Sequence, residues 1–230
     1  MEKIDNKYLA LLTSSPEKTT SIVKKVKNAS AKKEVDACVA LVVMMCCGIG
    51  VEKNTAQALS YCETIGRDFS LFQPSEALGL IFHYGLYGAK IDKNRAEDLL
   101  RQAALNGLKI SAKILASYYI SGEYFKKDIA EAVRWYEVAA SQGDSEAMAL
   151  MGEILLNGGT GVFGDIVKKE PIKGLEYLRK SAELGFQNAQ QILLKHHLRE
   201  AETLAKQISS NNPEMVDIRT CLDNIKWVIR

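Results

Sequence analysis

The stretch Asp128–Gly143, DIAEAVRWYEVAASQG, sorts its apolar and polar residues onto two sides of a helix. It opens on Asp128, an N-cap residue, and closes on Gly143, a stop signal. Small residues stand at Ala132, Ala139 and Ala140, and an aromatic pair at Trp135–Tyr136. The pattern returns, degraded, at least three more times, which predicts a stack of helical hairpins.

From about Val35 each period carries two predicted helices. The first holds a leucine-like residue followed by a small one: Leu41–Val42, Leu78–Gly79, Leu115–Ala116 and Met151–Gly152, at steps of 37, 37 and 36 residues. Three positions past the small residue comes a bulky one, Met45, Phe82, Tyr119 or Leu155. Three further on comes glycine: Gly48, Gly85, Gly122 or Gly158. Glycine ends a helix there because it takes a left-handed conformation without steric cost. The second helix starts at Asn54, Asp92 or Asp128, with Ala58, Ala96 or Ala132 four positions on. Bulky pairs follow at Tyr61–Cys62, Leu99–Leu100, Trp135–Tyr136 and Tyr177–Leu178, and stops at Gly107, Gly143 and Gly185. Each hairpin's apolar stripe is too wide to bury alone, so the units must stack into an all-α solenoid.

Gly48-Ile49-Gly50-Val51 with Asn54 and Ala58, and Asp128…Ala132…Trp135-Tyr136…Ala139-Ala140…Gly143, resemble the Sel1-like repeat, which is similar to a tetratricopeptide repeat with a longer inter-helix loop. The third unit matches best. The fourth has about five extra loop residues: Val162 to Gly185 is 23 positions, against 18 from Phe125 to Gly143. The second has Ala89 where valine is usual, and the first has Gly66 and Phe69 where the third has Ala140 and Gly143. The resemblance covers residues 35–197, as units near 35–72, 73–108, 109–143 and 144–186 and a half unit at 187–197. It implies an α-solenoid of four to five αα-hairpins that binds other proteins. Proteins of this family are often bacterial adaptors or secretion and signalling scaffolds, and small cytoplasmic ones can be immunity proteins that inhibit toxins.

The two ends break the pattern and are expected to be helical caps, residues 1–34 and 198–230. The first cap reads as two helices broken near Ser14–Pro16, with Ser15 capping the second. Ile4, Tyr8, Leu11 and Leu12 face inward from one, and Ile22, Val23 and Val26 from the other. Leu198–Ser209 extends the fifth unit's helix, and a last helix is expected over 213–229 after a turn at Ser210–Pro213. Ala37–Cys47 is apolar on every side, including its would-be outer positions Val39, Val43 and Cys46. Such a helix must be covered, by the N-terminal helix pair or by a partner or second copy.

Charge and candidate chemistry add little. Thirty basic residues against 28 acidic ones leave a net +2, which gives no reason to expect nucleic acid or an anionic membrane as partner. The N-terminal MEKIDNKYLALL carries no signal-peptide pattern, and the apolar run Cys38–Val51 is too short to span a bilayer, so the cytoplasm is expected. Cys38, Cys46, Cys47, Cys62 and Cys221 form no CxxC and read as buried free thiols. Walker, GxSxG and HExxH motifs are missing. His83 ends a helix, where the dipole or an exposed face suits it. His196 and His197, adjacent on a helix, are expected to diverge, so no metal site is expected. Trp135–Tyr136 reads as core, and Gly158–Gly164 as a repeat linker.

The expected function is a non-catalytic protein-binding module without cofactor. The partner would sit on the inner face formed by the first helices: His83 and Tyr84, then Lys113, Ser117 and Tyr118, then Glu153 and Asn157, with Leu80, Ile120 and Leu156 as apolar contacts. Adaptor and immunity roles both fit. A homodimer or array through the apolar first repeat is the alternative, and a hydrolase a remote one.

Overall fold

A computed structural model describes residues 6–14, 18–122, 125–160 and 166–211 of the chain. The fold is an all-α solenoid of paired helices. Its described residues divide into two compact units, those up to 143 with Thr160, and 144–159 with 166–211.

The first unit holds α1 (Lys7–Ser14), α2 (Thr19–Ala31), α3 (Val35–Cys47), α4 (Thr55–Phe69), α5 (Gln73–Tyr84), α6 (Lys93–Leu105), α7 (Lys109–Ser121) and α8 (Ile129–Ser141). Three hairpins, α3–α4, α5–α6 and α7–α8, follow one local plan. The first helix stops on Gly48, Gly85 or Gly122, all left-handed, with φ of 76°, 66° and 68°. The second starts on Asn54, Asp92 or Asp128, whose side-chain oxygen accepts from the N–H of Gln57, Arg95 or Glu131 at 2.9, 3.1 and 3.0 Å. The loop is then pinned: the cap residue's own N–H donates back to the first helix. Asn54 bonds the Met45 carbonyl at 2.7 Å, Asp92 that of Phe82 at 3.0 Å and Asp128 that of Tyr119 at 2.9 Å. These acceptors are the bulky register residues. The clamp sets the second helix's first residue beside the first helix's end.

The apolar α3 is covered by the chain itself. Helices α1, α2, α4 and α5 all pack on it, and Val39, Val43 and Cys46 are 7%, 0% and 2% exposed. Asn6 fixes the cap, accepting from the N–H groups of Tyr8 and Leu9 and donating to the Asp36 carbonyl at 2.8 Å. Glu34 takes Lys7 and the Tyr8 hydroxyl. Leu11, expected inside, is exposed, and Leu9 is buried in its place beside Leu12. Ile22 and Val26 are buried as the stripe predicts. Ser15 and Pro16 lie outside the described residues, as do Ile4, Cys221 and the helix expected over 213–229.

Trp135 and Tyr136 are buried core. The Arg101 guanidinium lies 5.2 Å from the Trp135 ring centre and holds Glu97 and the Tyr119 hydroxyl, so polar groups tie α6 to α7 where the apolar seam ends. Cys38, Cys46 and Cys62 are buried free thiols, and Cys47 is half-buried. Burial pushes the Cys62 thiol up to about 12.

The second unit holds α9 (Ser145–Asn157), α10 (Pro171–Glu183) and α11 (Gln187–Asn211), and the paired two-residue strands β1 (Gly159–Thr160) and β2 (Ile166–Val167) come between α9 and α10 in the sequence. It repeats the clamp, with the Glu170 N–H on the Leu155 carbonyl at 2.9 Å. Helices α9 and α10 touch through glycines: a Cβ on Gly152 would stand 2.7 Å from the Gly174 carbonyl oxygen. The Ser181 hydroxyl donates to the Ser145 carbonyl at 2.6 Å. Leu198 and its neighbours do extend the fifth unit's helix. Among the described residues no helix is long and apolar enough to cross a membrane.

Candidate functional site

The last turn of α5 carries His83 and Tyr84, and the clamp brings Lys93, the first residue of α6, back beside them. The Lys93 ammonium donates to the His83 carbonyl at 2.6 Å and lies 2.9 Å from its Nδ1. From α7 the Tyr118 hydroxyl approaches the same Nδ1 at 2.5 Å. An ammonium only donates, so the Lys93 bond needs an unprotonated Nδ1, and a neutral His83 then carries its proton on Nε2. The Tyr84 ring stands edge-on to His83, with centres 4.1 Å apart. Tyr118 stacks onward against Phe125 at 5.4 Å.

These groups line an open cleft of about 430 Å³, with Ile91, Ser117 and Ser121 completing the wall. Tyr84 and Ile91 are 44% and 54% exposed, an apolar pair facing water beside a cation. Ser117 and Ser121 donate their hydroxyl protons to the carbonyls of Ile114 and Tyr118. Among the described residues, no carboxylate lines the cleft.

Four of the seven residues expected on the inner face meet here: His83, Tyr84, Ser117 and Tyr118. Tyr118 corrects the expectation, being 1% exposed. Its ring is core, and its hydroxyl meets His83. Its register counterparts Met44 and Ile81 are wholly buried too, and that apolar pairing in the sequence was the available signal. Lys113 is half-buried on α7 and does not line the cleft. Glu153 and Asn157 are exposed on α9, with the Asn157 amide donating to the Glu153 carbonyl at 3.0 Å. Leu80, Ile120 and Leu156 are half-buried.

Lys93, Ile91 and Ser121 were missed. Ser121 shares its register position with Tyr84 and Asn157. Lys93 follows the N-cap Asp92, and the loop clamp alone places it at the end of α5.

His196 and His197 do not diverge as expected. Each Nδ1 lies 3.4 Å from the same carboxylate oxygen of Glu200. Adjacent helical residues differ by about 100° in direction, but Glu200 lies one turn on, within reach of both rings.

Comparison with known proteins places the repeats in a wider set. A Sel1 repeat protein from Oxalobacter formigenes matches at 23% identity with a TM-score of 0.57, over 76% of this chain and 49% of that one. The protein c5321, a protective antigen present in uropathogenic Escherichia coli strains, matches at 24% identity with a TM-score of 0.53, over 82% of this chain and 36% of that one. The chain thus spans about half the length of the first and about a third of the second. At these identities the likeness is one of fold. No curated protein sequence matches. The Sel1 repeat model matches residues 35–64, 76–108, 111–144 and 145–186, and the chain belongs to the Sel1 repeat family.

Proposed function

We propose that this chain is a non-catalytic protein-binding module and that the cleft beside His83 is part of its docking surface. Sel1 repeats generally mediate protein–protein interaction. The observation that carries the reading is the make-up of the cleft: exposed Tyr84 and Ile91 beside Lys93, on walls held rigid by His83 and Tyr118. A partner segment suits it if it offers an apolar side chain to Tyr84 and Ile91 and a negative charge to Lys93. Exposed aromatic residues on a preorganised support are the usual anchors of such contacts. Glu153 and Asn157 on α9 are a second proposed contact.

Adaptor and immunity roles differ in the partner alone. A toxin gene beside this one supports the inhibitor, and a signalling or secretion locus the adaptor. The homodimer through the first repeat loses its motive, because α3 is buried within its own chain. A hydrolase activity lost in His83→Ala or Glu153→Ala would overturn the non-catalytic reading.

The test is a photoreactive residue placed at Tyr84 or at the exposed Glu137 of α8. Partner adducts are expected from position 84 and not from 137. The double variant Tyr84→Ala/Ile91→Ala is expected to weaken the purified complex about tenfold or more, the loss of a modest hot spot. Equal adducts from both positions, or full affinity in the double variant, would sink the assignment.

A further inference from the structure

We infer that His196, His197 and Glu200 on α11 form a binding site for a divalent transition cation, Zn²⁺ foremost. The inference rests on their geometry and is independent of the docking surface. Their ligand atoms all lie within 4.8 Å of one another. Both imidazole Nδ1 atoms stand 3.4 Å from the Oε2 of Glu200. That is long for an N–H···O hydrogen bond, which favours 2.7–3.2 Å. It is the separation of two ligand atoms around one tetrahedral ion: bonds of about 2.0–2.1 Å at the tetrahedral angle put neighbouring ligands about 3.4 Å apart. The two rings are nearly perpendicular, at 87°.

A second observation comes from His196. Its Nδ1 is closed off from solvent and has no hydrogen-bond partner. A buried polar nitrogen is nearly always partnered, and a cation between it and Glu200 satisfies it. The donor set chooses the metal. Two imidazoles and one carboxylate suit Zn²⁺, Co²⁺, Ni²⁺ or Cu²⁺, whereas Mg²⁺ and Ca²⁺ prefer all-oxygen shells. His197 and Glu200 are 54% and 63% exposed in their side chains, so the ion has an entry path and a fourth position open to water. Bound there, it staples one turn of α11.

The experiment titrates the full chain with Zn²⁺ by calorimetry in a non-chelating buffer, and with Co²⁺ by absorption. One equivalent is expected, with the d–d spectrum of nitrogen and oxygen ligands. His197→Gln and Glu200→Gln should each weaken binding about tenfold or more, and His196→Gln/His197→Gln should abolish it. All three variants are expected to keep the helical circular-dichroism signal, since they alter the surface of one turn. His83→Gln should bind like the parent. Failure of the parent to bind Zn²⁺ at high micromolar concentration overturns the site. So does unchanged affinity in the double variant, or a thiolate-to-Co²⁺ charge-transfer band, which would put the ion on the cysteines.

Discussion

The hairpins α3–α4 and α5–α6 close in the same way and are filled differently. Each ends its first helix on a left-handed glycine and pins its loop with the N-cap N–H, Asn54 to Met45 and Asp92 to Phe82. Where α3 has Val42, α5 has Gly79. Eight residues past the cap, α4 has Cys62 and α6 has Leu100. The large residue changes sides, and the pair's summed volume stays roughly level. A Cβ on Gly79 would stand 2.8 Å from Leu100 Cγ, so in the second hairpin the small partner is obligatory. At the helix end the contrast runs further. Cys46 of the first hairpin is 2% exposed, and its counterpart His83 helps line an open cleft. Backbone hydrogen bonds thus make the repeat, and register residues decide which side chains it presents.

The strongest way to break this comparison is to move residues between the hairpins. Gly79→Val should destabilise the chain by about 2–3 kcal/mol in urea unfolding, because the valine drives into Leu100 without room to relax. Leu100→Cys alone should cost about 2–3 kcal/mol through the cavity it leaves. Together they rebuild the Val–Cys pair of the first hairpin, and the double variant should be less destabilised than the sum by at least about 1 kcal/mol. Strict additivity would show that Val42 and Cys62 are not the counterpart pair.

A smaller effect tests the shared part. Asp92→Ala and Asn54→Ala each remove a side-chain acceptor from a helix N-terminus, and each should cost about 1 kcal/mol. The thermal shift should be alike in the two hairpins, since the caps do the same job. Asp92→Ala should also weaken partner capture, because Lys93 hangs from that cap. If capture is unchanged, the side-chain cap of Asp92 does not position the cleft.

The repeat was legible because its signals are local. Glycine stops, N-caps and the 37-residue step each report backbone conformation, and each stands where the sequence places it. The covering of α3 was legible as a requirement, but its agent was not. Nothing local says that Asn6 reaches the Asp36 carbonyl and so seats α1. The cleft was half legible. A register count finds exposed positions on a first helix, and Tyr84 and Ser117 are exposed. It cannot see a lysine folded back by a loop, nor tell a buried tyrosine from an exposed one when its side chain is amphipathic. Two histidines converging on Glu200 escaped for a related reason: direction at Cα says little about where a long side chain ends.

Within the cleft, Tyr118→Phe isolates one bond. Phenylalanine keeps the buried ring and the stack on Phe125 and drops the hydroxyl that meets His83 Nδ1. A loss of about 1 kcal/mol is expected by urea unfolding, the net worth of one such hydrogen bond. Ile81, the counterpart of Tyr118 in the second hairpin, makes no such bond, and Ile81→Val serves as the packing control.

The smallest predicted effect concerns Glu76, whose counterpart in the first hairpin is the apolar Val39. Helix α7 has no side-chain cap of its own. Glu76 supplies one from α5, accepting from the Ser111 N–H at 3.2 Å and its hydroxyl at 2.8 Å. Burial opposes the charge and wins over both bonds, holding the Glu76 carboxyl above the ordinary carboxylate value. An acid with a raised pKa binds its proton more tightly folded than unfolded. Its contribution to stability is therefore largest at low pH and falls as pH rises from the ordinary carboxylate value through the raised one. Glu76→Gln keeps an oxygen for Ser111 and removes the charge. Its stability relative to the parent should improve as pH rises across that window and stay level above it. Urea titrations of both proteins at a series of pH values read this difference directly. A glutamine variant that loses ground with rising pH would mean that the start of α7 favours the charge more than burial penalises it. The polar second hairpin would then gain at this position what the apolar first one forgoes.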